Sequence, residues 1–148
     1  MAKQYKLQIP GEIYSAMTQH ALKELPNECC GMLAGIIAED GIGRVSRRFP
    51  LSNDLASPVA YQSYPFAAHK AMRAEHIELL AIYHSHPTSA PTPSRTDCAQ
   101  NHYGPDIIHL IISLSADRPD TRAWRLLESG FEEVEWECVY EQARNTSK

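Results

Sequence analysis

The sequence is poor in the features that mark several common classes. It has four cysteines, Cys29, Cys30, Cys98 and Cys138, with no C-x-x-C pair and no repeated spacing among them, so neither a disulfide framework nor a thiolate zinc cluster is indicated. Cys29 and Cys30 are adjacent and would point to opposite faces of a strand. All four are expected to be reduced, mostly buried thiols of a cytoplasmic protein. There is no run of Lys or Arg, and 14 basic against 18 acidic residues give a net charge of −4, which argues against nucleic acid as the main partner. No apolar stretch reaches ten residues, too few to cross a bilayer. Residues 1–10 alternate polar and apolar without a secretory apolar core, so export is not expected.

What remains is an ordinary globular composition, 43% hydrophobic and 22% charged over 148 residues. That length suits one domain able to bury roughly 68–70% of the surface its unfolded chain exposes. A single domain over residues 1–142 with a flexible tail at 143–148 is expected.

Residues 11–25 place Ile13, Met17, Ala21 and Leu25 at four-residue spacing, an amphipathic helix closed by Pro26. Residues 29–38 and 44–51 read as a hairpin around the turn at 39–43. Residues 52–65, with two prolines and Asn53, read as a functional loop. A helix over 66–76, a buried strand over 77–84, a proline-dense loop over 87–93 and a short helix from Ser94 follow. The strongest strand spans 106–115. Segments 121–127 and 131–140 alternate as a closing antiparallel pair joined at Ser129-Gly130. This order gives an α/β fold, a three-layer-like sandwich of a mixed, partly curled sheet flanked by helices.

The chemistry is concentrated in His84-Ser85-His86-Pro87-Thr88-Ser89-Ala90-Pro91-Thr92-Pro93-Ser94-Arg95-Thr96-Asp97. Side chains two apart on a strand share a face, roughly 6.6 Å apart along the backbone, so His84 and His86 can converge on one metal ion. Ser94 and Asp97, three apart, share a face of a helix start, and a loop folding back would bring Asp97 in as an oxygen ligand. Two imidazoles and one carboxylate leave a corner of a zinc tetrahedron open, as in catalytic rather than structural sites. The competing local readings are plain ones. H-x-H is commonly a surface or core pair, and S-x-x-D after a proline is a helix cap. Capping and ligation are compatible, since one turn can do both.

At these residues the sequence resembles the JAMM (MPN-domain) metalloprotease family, whose signature is an upstream Glu, then H-[S/T]-H-P, seven residues, Ser, and x-x-Asp. The upstream stretch Asn27-Glu28-Cys29-Cys30-Gly31-Met32-Leu33-Ala34-Gly35 is similar to that family's E-x-C-G-[LM]-L-x-G strand. The resemblance implies a cytidine-deaminase-like MPN fold, with His84, His86 and Asp97 holding one Zn2+ per chain and water as the fourth ligand. It further implies Glu28 as general acid/base and Ser94 as oxyanion-stabilising donor. Read locally, Glu28 at a strand start after Pro26 would simply be exposed. Only Cys98 to Pro105 separates the Asp97 turn from the next strand, which resembles the minimal, stand-alone prokaryotic type. Such relatives cleave after the C-terminal Gly-Gly of ubiquitin-like or sulfur-carrier proteins. The tail of such a partner would dock as a strand beside the 52–65 loop, against Val59 and Tyr61.

Two other functions compete with this reading. One is a scaffold that keeps the fold without turnover. The other is a small-molecule zinc hydrolase related to deaminases, which use H-x-E with P-C-x-x-C, absent here. Homodimerisation stays open. His20, His69 and His76 fall in predicted helices and His109 in a strand beside the site. His102 is a candidate outer partner of the ligands, and Arg95 and Asn53 are candidate substrate-facing residues.

Overall fold

The structure is a computed structural model and describes residues 5–55, 65–99, 101 and 103–140. Strand β1 (Lys6–Pro10) buries Leu7 and Ile9 on alternate positions, and Pro10, with extended backbone, hands the chain to helix α1 (Gly11–Glu24). Met17 and Ala21 on α1 are fully buried, and the partly buried Ile13 and Tyr14 pack beside them. Strands β2 (Cys30–Ile37) and β3 (Ile42–Leu51) form an antiparallel hairpin whose turn carries Gly41 at φ +78, a conformation that costs glycine nothing. Helix α2 (Phe66–Glu75) stops at His76, which adopts a left-handed conformation. Strand β4 (Glu78–His86), the short helix α3 (Arg95–Ala99) and strand β5 (Ile108–Ser113) follow. Strands β6 (Asp120–Leu127), β7 (Gly130–Val134) and β8 (Trp136–Val139) complete the described chain.

The eight strands make one mixed sheet in the order β7-β6-β5-β4-β2-β3-β1-β8. Strand β4 sits between antiparallel β2 and parallel β5 and is buried from Leu80 through His86. A continuous apolar run is what a strand covered on both faces requires. One face carries the main core under α1, including Leu7, Ile9, Met17, Tyr83, Leu110 and Ile112. The other carries Met32, Ala34 and Ile82 beneath Ala68 and Met72 of α2, and Ile111, Trp124 and Leu126 against Cys98 of α3. The expected helix–sheet–helix layering is therefore present. So is the curl. Strands β7 and β8 lie at opposite ends of the strand order yet are separated in the chain by Glu135 alone, so the sheet rolls until its two edges nearly meet.

Two local expectations need correction. Residues 131–140 do not form one strand. The chain leaves β6 after Val134, and β8 pairs in parallel with β1 instead. The buried β1 gains an edge neighbour there, and Trp136 stacks on Tyr14 with ring centroids 5.2 Å apart. The polar–apolar alternation of the first ten residues is that of a strand, β1, over Lys6–Pro10. Leu25, expected on the apolar stripe of α1, is 44% exposed beyond the helix end. The four cysteines are all free, with Cys29 and Cys30 buried and Cys98 and Cys138 half-buried. The 143–148 tail lies outside the described residues.

Candidate metal centre

Strand β4 runs two residues further than the 77–84 expected from sequence, so His84 and His86 both lie in the sheet, in register with Ile111 and Ser113 of β5. They are 1% and 3% exposed. The proline loop beyond them is held by three successive carbonyls. The Ser113 hydroxyl donates to Ser89 O at 2.6 Å, His86 Nδ1 donates to Ala90 O at 2.8 Å, and Trp124 Nε1 donates to Pro91 O at 2.7 Å. These anchors turn the loop back over the strand. At its end Ser94 caps α3 reciprocally, its Oγ accepting the Asp97 N–H at 3.0 Å while its N–H donates to Asp97 Oδ2 at 2.8 Å. This is a capping box, built with Asp.

The cap aims the Asp97 carboxylate at the two imidazoles. His84 Nε2 lies 3.1 Å from Oδ1, His86 Nε2 lies 3.2 Å from Oδ2, and the two Nε2 atoms are 3.2 Å apart. Among the described residues this is the one group of three or more such side chains able to hold a metal ion. A carbonyl can only accept, so the Ala90 contact places the proton of neutral His86 on Nδ1 and turns its Nε2 lone pair inward. Tetrahedral zinc with bonds near 2.0–2.1 Å has ligand–ligand edges of about 3.3 Å. The two Nε2 atoms stand at such an edge, each meets one oxygen of Asp97, and one donor atom from each residue lies within 4.8 Å of the others, so the donor set suits a zinc-sized cation.

Electrostatics follow from this packing. Burial pushes the Asp97 carboxyl up, but hydrogen bonds from His84, His86 and the Ser94 amide outweigh it and hold Asp97 well below the ordinary carboxylate range. Burial lowers His86, while the Asp97 hydrogen bond, the Ala90 carbonyl and the Asp97 and Glu28 charges raise it further than burial lowers it. His109, on β5, is pushed down to about 4 by burial and by His84. It therefore does lie beside the site, as its strand suggested, and its buried Nε2 has no hydrogen-bond partner among the described residues.

Glu28 corrects the local reading most sharply. It is 2% exposed, not surface. Burial raises its carboxyl to about 8, with His86 opposing and Asp97 reinforcing, and its Oε1 has no hydrogen-bond partner among the described residues. The burial arises from contacts across the sheet. The Cys29 N–H donates to Ser85 Oγ at 2.8 Å, the Ser85 N–H donates to Cys29 O at 3.1 Å, and Asn53 Nδ2 donates to Glu28 O at 3.0 Å. Ser85 thus ties the Glu28 segment to the histidine strand, a role its position inside H-S-H did not disclose. Asn53 faces the site's backbone. Arg95 is exposed at the first turn of α3. His20 pairs with the Tyr83 hydroxyl at 2.8 Å on the opposite face of the sheet from the metal ligands. His102, Val59 and Tyr61 lie outside the described residues.

A mixed α/β sandwich that brings two histidines of its central strand, an aspartate of α3 and a buried carboxyl together offers the donors that a metal-dependent hydrolase would use. Comparison with known proteins narrows the class. The family described as "Prokaryotic homologs of the JAB domain" matches residues 10–127. The CysO-cysteine peptidase of Mycobacterium tuberculosis is 31% identical over 133 residues, covering 87% of this chain and 88% of the relative. A probable TtuB-protein conjugate cleaving protease of Thermus thermophilus is 39% identical over 95 residues, 62% of this chain and 60% of the relative. The solution structure of protein DSY2949 from Desulfitobacterium hafniense superposes with a TM-score of 0.81 at 30% identity, covering 94% of this chain and 97% of that one. The chain belongs to the prokaryotic JAB-domain family, and it is a peptidase of the JAB/JAMM type.

Proposed function

We propose that this chain is a zinc-dependent peptidase that hydrolyses the amide bond after the C-terminal Gly-Gly of a ubiquitin-like or sulfur-carrier protein. The observation that carries this reading is the convergence of His84, His86 and Asp97, whose two Nε2 atoms lie 3.2 Å apart and each meet one Asp97 oxygen at 3.1 or 3.2 Å. The buried Glu28 carboxyl beside it supplies the acid–base partner. One zinc per chain completes a site built wholly within that chain. When bound, zinc supplies Lewis acidity, which lowers the pKa of water and polarises a carbonyl.

The remaining work falls to side chains. Glu28 takes the proton of the attacking water and returns it to the departing amine. Burial raises the Glu28 carboxyl to about 8, and a cation held by His84, His86 and Asp97 would lower it, so that one group could serve first as base and then as acid. The Ser94 hydroxyl accepts the Asp97 amide, which leaves its own proton to donate to the scissile carbonyl oxygen as negative charge builds there. A Gly-Gly tail suits a site framed by backbone, because no Cβ keeps the scissile bond away from the ligands. The names of the mycobacterial and Thermus relatives support a substrate of the carrier-conjugate kind. The free cysteines fit a reducing cytoplasm.

The test is direct. Zinc-loaded protein is incubated with Gly-Gly carrier proteins bearing a C-terminal cysteine or a short extension, and the products are read by intact mass. The expected product ends at the second glycine and forms at least about a hundredfold more slowly with Glu28→Gln. No cleavage after Gly-Gly by zinc-loaded protein would overturn the assignment in favour of a scaffold, and equal cleavage by Glu28→Gln would remove Glu28 as the proton carrier.

A further inference from the structure

Glu28 lies one residue ahead of Cys29 and two ahead of Cys30, where β2 begins, so no ladder hydrogen bond of β2 fixes its own backbone. Its carbonyl and the Cys29 N–H are the two ends of a single peptide unit. The N–H end donates to Ser85 Oγ at 2.8 Å, and the carbonyl end accepts from Asn53 Nδ2 at 3.0 Å. A peptide plane held at both ends has no freedom to rotate about its long axis, which fixes ψ of Glu28 and with it the direction of the side chain. The Asn53 amide is itself held. Its Oδ1 accepts the Leu55 N–H at 3.1 Å, an Asx turn. Rotating the amide by half a turn would oppose two donors at Leu55 and two acceptors at Glu28, so the assignment of oxygen and nitrogen is unambiguous.

We propose that Asn53 is a positioning residue for the reaction, its side-chain amide holding the Glu28 peptide so that the carboxyl meets the attacking water in line. This rests on the reading of Glu28 as the proton carrier. The neighbouring contacts favour the same arrangement. Cys30 and Leu51 are register partners where β2 and β3 end, and the Cys30 thiol reaches Ser52 O at 3.8 Å, so the chain bearing Asn53 leaves the sheet directly beside Glu28. Displacing a proton carrier by about 1 Å costs on the order of a hundredfold in rate.

Two substitutions separate the functions of this amide. Asn53→Asp keeps an oxygen for the Leu55 N–H but removes the donor to Glu28. Asn53→Ala removes both without adding charge. Each is expected to lower kcat at least tenfold on the Gly-Gly substrate while KM changes less than twofold and bound zinc is retained. Because Asn53 acts through Glu28, adding either substitution to Glu28→Gln should lower its residual rate no further. Crystal structures of the two variants should show the Glu28 carboxyl moved from its wild-type place. Unchanged kcat in either variant, a loss expressed only in KM, or a multiplicative loss in the double variant would overturn the proposal. An unmoved Glu28 in both crystal structures overturns it even without turnover data. Full activity of Glu28→Gln would instead overturn the proton-carrier reading, which the Glu28→Gln arm reports separately.

Discussion

The Nε2 atoms of His84 and His86 face each other at 3.2 Å in the interior of the sheet, and each also meets one oxygen of Asp97. Without a cation, these nitrogens and oxygens are held together by the protons between them. A metal held here would take the place of such protons, so binding would release protons and be linked to folding. Zinc affinity should therefore rise with pH above 6.5, since His86, raised from its ordinary value, holds its proton further into that range. Zinc at a hundred times its dissociation constant should stabilise the protein by about 2.7 kcal/mol. His86→Ala should lose both the affinity and the stabilisation in calorimetry, and chelation should stop turnover until zinc is restored.

Replacing Glu28 with Gln keeps the shape and removes the proton carrier. Loss of a general base costs roughly a hundred- to ten-thousandfold in rate. Metal analysis of the same preparation should show zinc retained, because Glu28 is not among the three residues of the ligand triangle.

The same substitution has a second, independent consequence in metal-free protein. Glu28 titrates near 4.5 when unfolded and at about 8 when folded, because burial disfavours its charge. Between those values the native state holds a proton that the unfolded chain gives up, so this group makes stability fall as pH rises. Glu28→Gln is free of that penalty. Its melting temperature relative to wild type should climb from pH 5 to pH 8, and a difference independent of pH would contradict the burial of an ionisable carboxyl here.

Ser94→Ala separates capping from catalysis. Loss of the Oγ that accepts the Asp97 amide should cost about 1 kcal/mol of stability. Loss of an oxyanion donor should cost roughly a hundred- to thousandfold in kcat. Thermal melts and steady-state rates on one sample measure both, and a rate loss no larger than the stability loss would leave Ser94 a cap alone.

Gly35 tests the fold beneath the site. A Cβ there would collide with the Arg44 carbonyl on β3, whose carbon would lie 2.8 Å away, beside the register shift at Ala34/Gly35. Backbone cannot step aside as a side chain can. Gly35→Ala should destabilise by about 1–3 kcal/mol, read from denaturant unfolding.

The ligand triangle was legible in sequence because its members sit within fourteen residues. Strand alternation pairs His84 with His86, and the S-x-x-D cap presents Asp97. The layered fold was legible for the same reason, its main helices and strands each carrying their own periodicity. Glu28 was not legible from its neighbourhood, since its burial comes from Ser85 and Asn53, 57 and 25 residues away in the chain. Only the family pattern singled it out. The β7–β8 break was hidden because residues 131–140 alternate throughout. Alternation shows that a segment is a strand but not which strand it pairs with, and Glu135 alone carries the chain from one edge of the sheet to the other.

The most direct measurement is a crystal structure of zinc-loaded protein with anomalous data collected at the zinc edge. The account predicts one ion per chain, about 2.0–2.2 Å from His84 Nε2, His86 Nε2 and an Asp97 oxygen, with no fourth protein ligand. An ion bound elsewhere, or one enclosed by four protein side chains, would contradict it.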